Sequence, residues 1–193
     1  AFIKNPRMNS KGQNTSAAFG FTNAMLDVIR KEKPTHIAVV FDAPEQTNRE
    51  SDFSDYKANR EEMPEDIRSM LEPIKEIISA FDIPILIKPG YEADDIIGTL
   101  SRQAEKEGYK VFMVTPDKDF AQLVSDNIFM YRPMFGGGYE TWGVEEVKAK
   151  FEVEDPLQVI DFLGMKGDAV DNIPGLPGVG DKTAKKFINL YGS

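Results

Sequence analysis

The residues best suited to chemistry are acids. Glu92, Asp94 and Asp95 place three carboxylates within four positions, just after Gly90 and Tyr91 and at the mouth of an apolar helical pattern. Like charges held that close repel unless a cation sits among them, and a bound divalent metal is one remedy. Asp42 follows an apolar run at residues 37–41, Asp117 and Asp119 follow another at 111–115, and Asp168 and Asp171 stand three residues apart in a later Gly/Pro-rich stretch. Taken singly, each acid reads better as a partner for a helix N-terminus than as a metal ligand. Recurrence at three strand ends shifts the balance toward a metal site. The chain has no Cys and one His, His36, which precedes a strand and reads as a packing or solvent residue. An all-oxygen donor set suits Mg²⁺ or Mn²⁺ over Zn²⁺. So many carboxylates exceed the needs of one ion, whereas two ions about 3.5–4 Å apart are typical of phosphodiester hydrolysis.

Two further segments carry chemistry of the opposite sign. Gly178-Val179-Gly180 opens a helix bearing Lys182, Thr183, Lys185 and Lys186. Backbone N–H groups at such a hairpin can hold a phosphate without reading a base, although a bare Gly-x-Gly is also a plain turn between packed helices. Residues 44–63 are polar and aromatic, with Arg49, Phe53, Tyr56, Lys57 and Arg60 among acids and few aliphatic anchors. That is long for a simple connection, so a mobile or functional excursion is expected.

The elements that must position these residues alternate in type. A helix of about four turns should follow Thr15-Ser16, with Phe21, Met25, Val28 and Ile29 on one face. Strands are expected at residues 37–41, 83–87, 111–115 and 128–131. Helices are expected from Pro64 through Phe81 despite Pro73, at 93–107 ending at Gly108, at 144–151, around 157–163, and in the tail before Gly192. Residues 2–14 read as polar and irregular. Strands alternating with helices indicate a parallel sheet, whose ligands gather beyond the carboxyl ends of its strands, so the acids are expected along one edge. The 41% apolar content of 193 residues suffices for a core, no apolar run approaches a membrane span, and a cytoplasmic, monomeric protein is expected. The formal charge of −9 argues against a broad basic surface but not against local basic clusters. The chain starts at Ala1 in mid-pattern, which reads as a fragment or a processed start.

Five strings carry a family resemblance: Val39-Val40-Phe41-Asp42-Ala43, Tyr56-Lys57-Ala58-Asn59-Arg60, Gly90-Tyr91-Glu92-Ala93-Asp94-Asp95, Thr115-Pro116-Asp117-Lys118-Asp119 and Gly167-Asp168-Ala169-Val170-Asp171-Asn172-Ile173-Pro174-Gly175. In order, over almost the whole chain, they resemble the 5′→3′ exonuclease domain of bacterial DNA polymerase I, within the flap endonuclease family. The resemblance implies an α/β fold with a mostly parallel sheet, flanking helices and a helical arch, followed by a helix–three-turn–helix element. A nuclease domain over 1–156 and the DNA-binding element over 157–193 are expected.

By the same resemblance, Asp42, Glu92 and Asp94 hold one metal with Asp95 in support, and Asp117, Asp119, Asp168 and Asp171 hold the other. Lys57 and Arg60 grip the scissile phosphate from the arch. Arg49, Tyr56, Gly178, Gly180, Lys182, Thr183, Lys185 and Lys186 meet DNA, and K⁺ is a candidate at the hairpin. The implied activity is Mg²⁺-dependent cleavage near DNA 5′ ends and flaps, in replication and repair, and a covalently following polymerase domain is a candidate partner. The family also begins with a strand bearing an Asp-Gly ligand and a Tyr-Arg pair, which this sequence does not include, so weak cleavage or none is expected of residues 1–193. Pro116 stands where the family usually has a small residue. The rival reading is a non-catalytic, structure-selective DNA-binding module.

Overall fold

The computed structural model describes residues 6–192, so the expectations for residues 2–5 and for the first residues of the chain lie outside it. The chain divides into two compact units, one built from Ala1–Asp42 and Glu61–Ile87, the other from Ala43–Arg60 and Lys88–Ser193.

In the first unit, helix α1 (Ser16–Glu32) forms where expected and ends at Lys33, whose left-handed backbone stops it. The 64–81 pattern gives two helices, not one: α3 (Glu65–Arg68) and α4 (Leu71–Ala80). Pro73 is the reason. Its ring cannot sit above the carbonyl of residue 69 in a continuous helix, so a new helix begins after Met70 with Pro73 in its first turn, where a missing N–H costs nothing. Met25, Met70, Ile74, Ile78 and Ile83 close the core of this unit. Its sheet is short. Strands β1 (Val39–Val40) and β2 (Ile85–Leu86) pair in parallel over two residues each. Pro84 and Pro89 flank β2 and can donate nothing to a longer ladder.

The second unit begins with α2 (Asn48–Asp52), a five-residue helix with no buried residue. Thr47 caps it: Glu50 donates its N–H to Thr47 Oγ1, and the Thr47 N–H returns to Glu50 Oε2. After α5 (Ala93–Lys106), strands β3 (Val111–Val114) and β4 (Ile128–Pro133) pair in parallel, and β5 (Tyr139–Trp142) adds an antiparallel edge beyond a glycine-rich turn. Neither β5 nor the break into two sheets is expected from the sequence pattern. The acids at strand ends are therefore divided: Asp42 follows β1 in one sheet, and Asp117 follows β3 in the other.

Met113, Ile128, Met130 and Trp142 line the inner face of the larger sheet and pack with Val147, Phe151, Val159, Phe162, Ala184 and Ile188. Those residues belong to α6 (Val144–Phe151), α7 (Gln158–Lys166) and α8 (Asp181–Tyr191). Each such side chain contributes about 1.5–3 kcal/mol when buried, so α7 and α8 are fixed to the same core that holds β3.

Candidate functional site

Two groups of acids meet cations in the second unit. The first surrounds Glu92, which is only 5% exposed at the start of α5. Asp94 and Asp95 occupy the first turn, where the helix dipole favours negative charge, and Asp95 Oδ2 accepts the Glu92 N–H at 3.1 Å. The partners come from Ala43–Arg60. Lys57 Nζ donates to Glu92 Oε1 at 2.5 Å, and Tyr56 Oη and Arg49 Nη1 each donate to Oε2 at 3.0 Å. Arg49 also forks onto Asp95 at 2.5 and 2.9 Å. Burial works against the charged forms of Lys57 and Arg49, but the carboxylates outweigh it and raise both pKa values. Glu92 is thus neutralised by the chain's own cations.

The second group lines a cavity of about 350 Å³, formed by Arg60, Pro116, Asp117, Lys118, Asp119, Arg132, Asp168, Val170 and Asp171. Asp117 caps a 3₁₀ turn, Lys118–Leu123, by accepting the Asp119 N–H at 3.0 Å. Asp168 and Asp171 lie on a turn that bridges back on itself, with reciprocal backbone hydrogen bonds between Asp168 and Ile173 at 2.9 and 2.8 Å. Glycines make the turn possible. A Cβ at Gly175 would stand 2.3 Å from the Lys166 carbonyl oxygen, and one at Gly167 would stand 2.3 Å from the Gly175 nitrogen. No side chain fits at either position.

Cations enter here too. Arg60 Nε and Nη2 meet Asp171 Oδ1 at 2.8 and 2.6 Å, and Lys118 Nζ meets Asp168 Oδ2 at 3.2 Å. Burial alone would push Asp168 up, yet the N–H groups of Val170 and Asp171 together with Lys118 hold its pKa below the ordinary value. Asp119 goes the other way, raised by burial first and then by the negative charge of Asp117. Its Oδ1 is buried without a hydrogen-bond partner, since Lys118 Nζ at 4.0 Å is beyond reach.

Among the described residues, no three acidic or histidine side chains converge closely enough to hold a metal as they stand. Arg60 and Lys118 line the same cavity and pair with Asp171 and Asp168. The donor chemistry nevertheless fits a hard divalent cation at Asp117, Asp119, Asp168 and Asp171, where four carboxylates share one cavity and one buried oxygen lacks a partner. Around Glu92 the fit is poorer, because both oxygens are already taken. Asp42 belongs to the first unit, directly after β1.

The expected DNA-contacting tail is divided as well. Gly178 turns with φ of +77°, and Gly180 caps α8. Lys182 and Lys186 are exposed on that helix and Thr183 is half-buried. Lys185 instead reaches Glu152 at 3.0 Å and Asp181 at 3.3 Å. Lys118, Arg132 and Asn172 are absent from the sequence-based site. Lys118 lies inside the Asp-Lys-Asp string, and Asn172 directly follows Asp171, so position next to acids was their only sequence signal.

Residues 1–152 match the family model described as 5′-3′ exonuclease, N-terminal resolvase-like domain, and residues 154–193 match 5′-3′ exonuclease, C-terminal SAM fold. A 5′-3′ exonuclease of Aquifex aeolicus is 43% identical over 192 residues, which cover all of this chain and 65% of that protein. DNA polymerase I of Mycobacterium bovis is also 43% identical, over 196 residues that cover all of this chain and 22% of the polymerase. Among solved structures, T5 5′-exonuclease with bound zinc has a TM-score of 0.74 at 20% identity, over 91% of this chain and 68% of that one. The catalytic core of Rad2 in complex with a DNA substrate has a TM-score of 0.61 at 20% identity, over 100% of this chain and 58% of that one. At that identity, both likenesses concern the fold.

Proposed function

The chain belongs to the 5′-3′ exonuclease family, and on that footing we propose that it hydrolyses DNA phosphodiesters near 5′ ends and flaps, in replication and repair. The observation that carries this reading is the cavity in which Asp117, Asp119, Asp168 and Asp171 face Arg60 and Lys118, with one aspartate oxygen buried and unpartnered.

Asp117, Asp119, Asp168 and Asp171 would hold one Mg²⁺ or Mn²⁺, with Glu92, Asp94 and Asp95 forming a second acidic group in the same unit. Bound divalent ions supply Lewis acidity and an activated water for in-line displacement at phosphorus. The chain's own cations exchange partners. Lys57 leaves Glu92 and Arg60 leaves Asp171 to hold the non-bridging oxygens of the scissile phosphate, where fixed charge counts most as negative charge develops. Arg49 and Tyr56 are placed to accompany them. Backbone N–H groups near Gly178 and Gly180, with Lys182 and Lys186, hold a phosphate further along the duplex and fix register without reading bases.

Asp117→Asn or Asp168→Asn should abolish Mg²⁺-dependent cleavage of a 5′-flap duplex by the chain; retained cleavage would overturn the assignment. The rival reading is a non-catalytic, structure-selective DNA-binding module. Flap binding in EDTA with no turnover in Mg²⁺, even with protein in excess, would establish it instead.

A further inference from the structure

Residues 55–60 carry the two cations assigned to the phosphate but have little of their own to hold them. The preceding helix α2 buries nothing. Besides the Tyr56 and Lys57 side-chain contacts to Glu92, what fixes them is the 168–173 turn, more than a hundred positions later in the chain. Lys57 donates its backbone N–H to the Asp171 carbonyl at 2.9 Å. Asn172 Nδ2 donates to the Asp55 carbonyl at 2.7 Å, and Asn59 Nδ2 donates to Asn172 Oδ1 at 3.2 Å. Arg60 adds its ion pair to Asp171.

Asn172 has a φ of +57°, a left-handed conformation that Asn adopts more readily than other residues with a side chain, apart from Asp. That conformation lets its amide face residues 55–60 while its main chain closes the turn. One side chain therefore donates to one end of the cation-bearing segment and accepts from the other.

We propose that Asn172 is a positioning residue that fastens residues 55–60 to the 168–173 turn, so that Lys57 and Arg60 keep a fixed spacing from Asp168 and Asp171. The catalytic part of this inference rests on the nuclease reading above; the fastening does not. Asn172→Gly tolerates the left-handed backbone and deletes both side-chain hydrogen bonds. Asn172→Asp also tolerates it, retains an acceptor for Asn59 and loses the donor to Asp55.

Limited trypsin digestion of the chain without metal or DNA reads the fastening directly. Cleavage after Lys57 and Arg60 should accelerate about tenfold in Asn172→Gly and less in Asn172→Asp, each hydrogen bond being worth a factor of several. Cleavage after Lys182 and Lys186 should stay unchanged. No acceleration, or equal acceleration at all sites, overturns the proposal. On a 5′-flap duplex in Mg²⁺, kcat should fall about 10–100-fold in Asn172→Gly with KM changing little, the scale of a misplacement near 1 Å. Faster digestion with wild-type kcat overturns the positioning role. If the wild-type chain cuts no DNA, the catalytic part of the inference is withdrawn, and the digestion still decides the fastening.

Discussion

Asp119 carries the least compensated charge in the candidate site. Burial and the neighbouring Asp117 raise its pKa, and its Oδ1 accepts no hydrogen bond. The charged form thus destabilises the folded state in the absence of metal. A raised aspartate pKa means that the folded protein binds this proton more tightly than the unfolded chain does. Stability is therefore lost as pH rises from the ordinary aspartate value through the raised one. Asp119→Asn removes the penalty. In EDTA its melting temperature should exceed that of the wild type at neutral pH, and the gap should close as pH falls below the ordinary aspartate range. In Mg²⁺ the order should narrow or reverse, because an ion that binds the wild-type cluster stabilises it by mass action. Melting curves with and without Mg²⁺ across pH check both statements, and an Asp119→Asn protein less stable than wild type in EDTA would contradict them.

The glycines around the 168–173 turn do different jobs from those at the tail hairpin. At Gly175 a Cβ would meet backbone atoms of Lys166 and Met165, which cannot yield without moving the end of α7. Gly175→Ala should cost about 3 kcal/mol or more and displace Asp168 and Asp171 together. At Gly180 nothing lies within 4 Å and φ is −100°, and Ser is a favoured cap. Gly180→Ser should leave the melting temperature unchanged and, on the proposed phosphate-binding role of the hairpin, weaken flap-DNA binding severalfold; unchanged binding would remove the hairpin from the interface. Sequence alone flagged Gly178 and Gly180 but not the approach of Gly167 to Gly175, which exists only once the turn has closed. Helices α1, α5, α6 and α8 were legible because a helical period and end signals agree within each segment. Strand β5 was not, since Tyr139, Glu140, Thr141 and Trp142 carry no aliphatic alternation, and its identity comes from pairing with β4. The acids could be read from their spacing. Their cationic partners could not, because Lys57 reaches Glu92 across 35 positions and no local pattern encodes that contact.

At the scale of the whole chain, the proposed DNA binding has 32 acids against 23 basic residues to work with. The structure divides the cations by task. Lys185 joins Glu152 and Asp181, so it holds α8 to the end of α6, whereas Lys182 and Lys186 face solvent. On the proposed reading, Lys57 and Arg60 meet DNA by leaving Glu92 and Asp171, an exchange that divalent ions would favour by taking over those carboxylates. A small set of phosphate contacts follows. With Lys57, Arg60, Lys182 and Lys186 engaged, log Kobs against log salt concentration should have a slope of about −3.5, by the counterion-release relation for duplex DNA. Fluorescence anisotropy of a 5′-flap duplex, with Ca²⁺ replacing Mg²⁺ and KCl varied, measures it. The double substitution Lys182→Ala and Lys186→Ala should make the slope shallower by about 2, whereas Lys185→Ala should leave it unchanged and lower the melting temperature. A slope twice as steep would mean that a broad basic face, not four placed cations, holds the DNA. On the same reading, affinity without divalent ions should drop about tenfold or more, because like charges would then face the phosphates while Lys57 and Arg60 remain tied to Glu92 and Asp171.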